Sequence, residues 1–202
     1  MRILYNIVLE YLWDRGGILL KKQQVIAIVI AVLMLISTYI GYKKFEPDKS
    51  EVFYSALEKV AGVKETATDT EYDRVLSDGT KVAHSIVVNK GNLVYVYMRF
   101  DDANKAVYFY DNYERSFDAA VQSMTYKGNF TWSKGAYVLF DGALSKGIIL
   151  PEKTVPGSST IYGGFYVKDD VLISVYTVNG TEDSKQKVDD FLDKIDYKKP
   201  KR

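Results

Sequence analysis

LVYVYMRFDDANKAVYFYDNYERSFDAAV, Leu93 to Val121, sets two hydrophobic periods side by side. Leu93, Tyr95 and Tyr97 alternate with Val94, Val96 and Met98, and successive side chains of a strand point to opposite faces. Both faces are apolar, as in a central strand. From Ala103 the period changes. Ala103, Ala106, Val107, Tyr110, Tyr113, Phe117, Ala120 and Val121 recur at three and four, the stripe of an amphipathic helix. Asp101 or Asp102 is placed to cap it. Lys105, Asp111, Glu114, Arg115 and Asp118 fall on the other side and read as a solvated surface.

Working outward, Tyr126–Trp132, Ala136–Phe140, Thr160–Val167 and Leu172–Val178 read as strands. Gly128, Lys134-Gly135, Asp141-Gly142 and Asp169-Asp170 read as turns. Leu150 to Ser159 carries two prolines and reads as a loop. Thr181 caps a last helix with Val188, Phe191, Leu192 and Ile195 on one face, and Glu182 and Asp183 suit its positive end. On the N-terminal side, Asp48 and Glu51 form a capping box ahead of Val52, Phe53, Ala56, Leu57 and Val60, and Gly62 closes that helix. Val63–Leu76, Lys81–Val88 and Leu93–Phe100 follow as strands, with Asp78-Gly79 as a hairpin turn. The order helix, strands, helix, strands, helix suggests two α-then-β units with a closing helix. Short hairpin links argue against a doubly wound parallel sheet. The expected fold is an α+β domain over 48–197, a mainly antiparallel sheet with about three helices on one face.

The 202 residues carry a formal net charge of +1, and residues 43–202 hold 23 Lys and Arg against 24 Asp and Glu. That balance argues against a nucleic-acid partner, whose binders carry a basic domain. The absence of cysteine excludes disulfides, thiolate metal sites and cysteine nucleophiles. Hydrophobic residues make up 47%, enough to build a core that needs no covalent staple.

VIAIVIAVLMLISTYIGY, Val25 to Tyr42, holds no charged residue over 18 positions. A spanning helix needs roughly 20 apolar residues. Lys21-Lys22 and Lys43-Lys44 bracket the run, and Tyr39 and Tyr42 suit an interface. No small-residue cleavage pattern follows the apolar core, so residues 24–42 read as an uncleaved signal-anchor in a lipid bilayer rather than a signal peptide. The expected topology is a short cytoplasmic segment over 1–23, the anchor, a link over 43–47, an extracytoplasmic domain and a basic tail over 198–202. Residues 1–19 raise a separate question. Arg15-Gly16-Gly17 can be encoded by a purine-rich ribosome-binding sequence a few codons ahead of Leu20-Lys21-Lys22, so translation in a bacterium is read as starting at either Met1 or Leu20.

Candidate chemistry is sparse. His84 is the only histidine and cannot by itself build a multi-histidine metal site or a triad. Ser184 to Lys187 matches S-x-x-K without the companion motifs of penicillin-binding enzymes. Leu150 to Thr154 resembles a sorting signal but lacks its spacing and tail. Asp69, Glu71 and Asp73 alternate and would form a carboxylate row on a flat strand. Asn129 and Asn179 begin glycosylation sequons, relevant to a eukaryotic source. Lys198 to Arg202 reads as a frayed soluble tail or a contact for anionic polymer. Asp101, Asp102 and Asp141 are the carboxylates an envelope hydrolase would converge in one cleft. Trp132, Tyr162, Gly163, Gly164 and Tyr166 are the expected ligand or partner contacts, since paired glycines among aromatics mark a bulge or a close approach.

The chain is therefore expected to be a single-pass bacterial membrane protein without a cofactor. Its extracytoplasmic domain would bind a protein or cell-envelope partner without catalysis. A tethered small-ligand sensor, with a pocket lined by aromatic residues including Trp132, is the alternative.

Overall fold

The computed structural model describes residues 49–76 and 79–201, together with Ile28, Ala31 and Val32. The chain divides into two compact units, Met1–Pro47 and Asp48–Arg202. In the first, Ile28, Ala31 and Val32 are helical and exposed. The rest of the expected anchor lies outside the described residues, as do the segment 1–23, the link, the Asp48 cap, Asp78 of the hairpin turn and Arg202. No helix among the described residues is long and apolar enough to cross a membrane.

The second unit is an α+β domain. Helix α1 (Lys49–Ala56) runs into a π-helical turn, Leu57–Ala61, and Gly62 ends it at φ 60° in the left-handed region that favours glycine. Lys90 donates through Nζ to the Ala61 carbonyl at 2.6 Å, placing a cation on a carbonyl the helix end leaves free. Strands β1 (Asp69–Val75), β2 (Lys81–Lys90) and β3 (Leu93–Phe100) form a meander. Helix α2 (Ala103–Gln122) begins at Asp102, whose side chain accepts from the Asn104 amide at 2.7 Å. Then come β4 (Tyr126–Ser133), β5 (Tyr137–Leu144), the small hairpin of β6 (Ile148–Leu150) and β7 (Lys153–Val155), β8 (Ser159–Lys168), β9 (Val171–Val178) and α3 (Glu182–Lys194), capped by Thr181.

The main sheet has seven strands in the order β1-β2-β3-β9-β8-β5-β4, and every pairing is antiparallel. Each half is a helix followed by a meander, as the α-then-β reading expects. The helices do not share one face. Val94, Val96, Met98 and Phe100 of β3 pack with Tyr110 and Phe117 of α2, whereas Leu93, Tyr95 and Tyr97 pack with Phe53 of α1 and Phe191 of α3. The sheet is thus enclosed between α2 on one side and α1 with α3 on the other. The cause is the double apolar pattern of the central strands: β9 is buried at all eight positions, so neither face tolerates water.

Two local expectations also change. Gly128 and Asp141-Gly142 lie within β4 and β5, with Gly128 opposite Gly142, rather than at turns. The stretch read as a proline loop contains β7, with Pro151 in the turn and Pro156 after the strand. This hairpin closes the α2 side of the core through Ile148, Leu150 and Val155, and Tyr176 donates to the Pro151 carbonyl at 2.9 Å.

Tyrosines carry much of the core, and this gives the domain an alkaline limit. Burial raises the hydroxyls of Tyr95, Tyr110, Tyr126, Tyr166 and Tyr176 well above the ordinary range and pushes Tyr197 up to about 12. An unfolded tyrosine ionises near ~10. Between those values the unfolded chain releases protons that the folded chain keeps. Stability is therefore full below pH ~10 and falls as pH rises toward 12. In an alkaline titration, the tyrosinate absorbance of these six should emerge together with loss of the circular-dichroism signal. Ionisation of all tyrosines while that signal is intact would contradict the packing.

Candidate functional site

The residues expected from sequence to contact a ligand are dispersed or buried. Tyr162 and Tyr166 are 1% and 3% exposed. Tyr162 donates to Asp189 Oδ1 of α3 at 2.6 Å, and Tyr166 donates to the Lys198 carbonyl at 2.7 Å. Gly163 and Gly164 lie against the backbones of β9 and β5. These four residues pack the sheet interior, because β8 lies between β9 and β5, and of the two readings of its glycines the structure shows the close backbone approach. Trp132 is half-buried on the α2 side and donates through Nε1 to Glu114 Oε1 at 2.6 Å. Glu114, read as solvated, is buried for that contact. The indole nitrogen needs an acceptor once it is covered.

The other sequence candidates resolve into local structure. Asp101 is held by Lys105 at 2.8 Å, Asp102 caps α2, and Asp141 pairs with Lys185 Nζ at 2.9 Å. They hold three separate local contacts. The neighbouring Lys105 ammonium keeps the Asp101 carboxyl below the ordinary range. Ser184 donates to Asn92 Oδ1 at 3.2 Å while Lys187 pairs with Asp183, so the S-x-x-K residues face different partners. Asp73 sits at φ 54°, which breaks the expected carboxylate row, and Glu71 pairs with Arg74 at 3.2 Å. Among the described residues, no group of three or more His, Asp or Glu is arranged to hold a metal ion. Asn179 Oδ1 accepts from the Thr160 amide, and Asn129 lines a groove of about 380 Å³ beside the tail. That tail is docked rather than frayed: Pro200 is buried and Lys198 Nζ lies 4.8 Å from the Tyr137 ring centre.

A cleft of about 500 Å³ lies between α1 and the β1–β2 edge of the sheet. Helix α1 contributes Glu51, Tyr54 and Ser55 and the π-helical turn that continues it contributes Glu58, at intervals of three, four and seven from Glu51. The adjoining side, with Phe53, Ala56 and Leu57, is driven into the core and thereby fixes these four. The edge strand β1 brings Tyr72, and β2 brings His84 from the paired position.

The aromatic geometry is specific. The Tyr72 ring lies parallel to the His84 imidazole, with centres 4.6 Å apart and 10° between planes. His84 is 4% exposed and meets Tyr97 edge-on at 5.7 Å, whereas Tyr72 is 68% exposed. One face of the Tyr72 ring therefore covers His84, and the rest is open to the cleft. The Tyr54 ring of α1 also lines the cleft, 6.4 Å from His84 and tilted 40° to it. A chain of hydroxyls holds that ring. Thr68 donates to the Glu65 carbonyl at 2.7 Å, which uses its only proton. Thr70 must then donate to Thr68 at 2.7 Å, and Tyr54 to Thr70 at 2.8 Å.

The rim is acidic. Glu51, Glu58 and Glu65 are exposed and line the cleft. None of the three has an ion-pair partner among the described residues. Of the cleft residues, sequence reasoning singled out only His84 and, as part of a capping box, Glu51. The available signal was Tyr72, a large ring between charged neighbours in an edge strand. No family model, curated protein or solved structure matches the chain.

Proposed function

We propose that the protein is a single-pass membrane protein, anchored through residues 24–42, whose α+β domain is a non-catalytic binding module outside the cytoplasmic membrane. The cleft between α1 and the β1–β2 edge is its recognition site. The observation that carries this reading is the joint presence of open aromatic walls and three carboxylates without ion-pair partners in one concavity. Its volume of about 500 Å³ suits a small ligand or a single protruding side chain. This favours the small-ligand form of the reading over contact across a broad protein face. The envelope-hydrolase alternative loses support, because Asp101, Asp102 and Asp141 are held by separate local partners.

The apolar run from Val25 to Tyr42, with its flanking lysines, supports the anchor. Protease treatment of intact cells expressing a C-terminally tagged chain tests the topology. Loss of the tag with protection of the anchor is the expected result. A tag that survives in intact cells and is cleaved after lysis would place the domain in the cytoplasm and overturn this part of the reading.

A further inference from the structure

We infer that the cleft recognises an alkylammonium group, met by the Tyr54 and Tyr72 rings that line it and neutralised by Glu51, Glu58 and Glu65. The inference rests on the reading of the cleft as the binding site and adds the chemistry of its ligand.

Two independent features point the same way. The first is charge: three carboxylates border one concavity, none of them is in an ion pair among the described residues, and no lysine or arginine is among the described lining residues. A positive charge bound in the concavity would be attracted by all three. The second is the aromatic surface. Ring faces carry negative partial charge and attract cations, most effectively when the cation is weakly hydrated, as an alkylated ammonium is. Tyr72 spends its inner face on His84 and leaves 68% of the residue exposed, an expensive way to cover an imidazole. Tyr54 cannot swing away, since its hydroxyl is committed to Thr70. The carboxylates also exclude anionic ligands, and their flexible rim disfavours a hard metal ion, which wants a closed oxygen shell.

The test uses the full chain in a nonionic detergent, with its tyrosine rings isotope-labelled for nuclear magnetic resonance. Choline chloride is titrated against 3,3-dimethyl-1-butanol, a neutral molecule of the same shape. Choline is expected to move the Tyr54 and Tyr72 signals, with a dissociation constant on the order of 1 mM, and the neutral analogue to leave them in place. Tyr72→Leu should weaken choline by roughly two- to fivefold. Glu58→Gln should weaken it and flatten its dependence on salt. Both side chains are exposed, so both variants keep the fold, and unchanged circular dichroism verifies this. Equal binding of the neutral analogue, or no shift at either tyrosine with choline, overturns the inference.

Vesicles separate the two sources of such a group. If lipid headgroups supply it, phosphatidylcholine vesicles lower the apparent affinity for free choline relative to phosphatidylglycerol vesicles. Equal affinity in both assigns it to a soluble amine. A photo-crosslinking residue at position 55 keeps the two levels of the argument apart. Capture of an envelope component in cells, with no choline response, removes the ammonium chemistry and leaves the binding reading. Failure of both removes both.

Discussion

Replacing Gly163 with valine should leave the domain unfolded, and alanine should cost more than about 4 kcal/mol, a large share of the roughly 5–15 kcal/mol that holds a typical domain together. Gly163 pairs with Phe140 on β5 and Tyr176 on β9, and those two rings meet 6.4 Å apart. A Cβ at this position would lie 2.2 Å from the Val175 carbonyl oxygen and 2.5 Å from Tyr176 Cα. The backbone adds strain, because φ is 141°, where L side chains are rarely found. Relief would require β8 and β9 to separate at the middle of the sheet. Gly135→Ala is the control. It too has positive φ, but nothing lies within 4 Å, so it should cost about 1 kcal/mol. Urea unfolding of the two variants measures the contrast. Equal, small losses at both positions would mean that β8 and β9 are not packed as described.

The strands and the two long helices are legible in the sequence because their signals are periodic and local. Leu93–Phe100 and the stripe from Ala103 to Val121 suffice for β3 and α2. The misreadings arise where a local signal yields to a distant contact. Asp141-Gly142 has turn chemistry, yet Gly142 is there because a Cβ would run into the Tyr126 ring and the Lys127 carbonyl of β4. Glu114 lies on the polar side of α2 by periodicity and is buried because Trp132, 18 residues later, needs an acceptor. The cleft is the least legible feature. Glu51 reads as a capping residue, and Tyr54, Ser55 and Glu58 fall outside the apolar stripe of their helix with nothing in the sequence to single them out. They become a wall only when Phe53 and Leu57 seat that helix over β2 and β3. Tyr72 and His84 are neighbours through a strand register that no spacing rule supplies.

Enclosure of the sheet on both faces has a measurable consequence in the coupling between core mutations. Phe165 packs on the α2 side with Tyr110, Tyr113 and Phe140. Phe191 packs on the other side with Phe53 at 5.1 Å and Tyr95 at 4.7 Å. All of Phe53, Phe165 and Phe191 are fully buried, so truncation of either Phe165 or Phe191 to alanine should cost about 3–5 kcal/mol. Leucine variants, each losing roughly 1–1.5 kcal/mol, keep the double variants folded for a cycle. Phe165→Leu and Phe191→Leu share no partner, and their losses should add to within about 0.5 kcal/mol. Phe53→Leu and Phe191→Leu break the same edge-to-face contact, so their losses should fall short of additivity by about 0.5–1.5 kcal/mol. A single layer of helices over one face would place all three rings in one core and couple both pairs. Strong coupling between positions 165 and 191 would therefore restore the one-faced architecture. Coupling confined to 53 and 191 would establish that two cores, each closed by its own helices, stabilise one sheet.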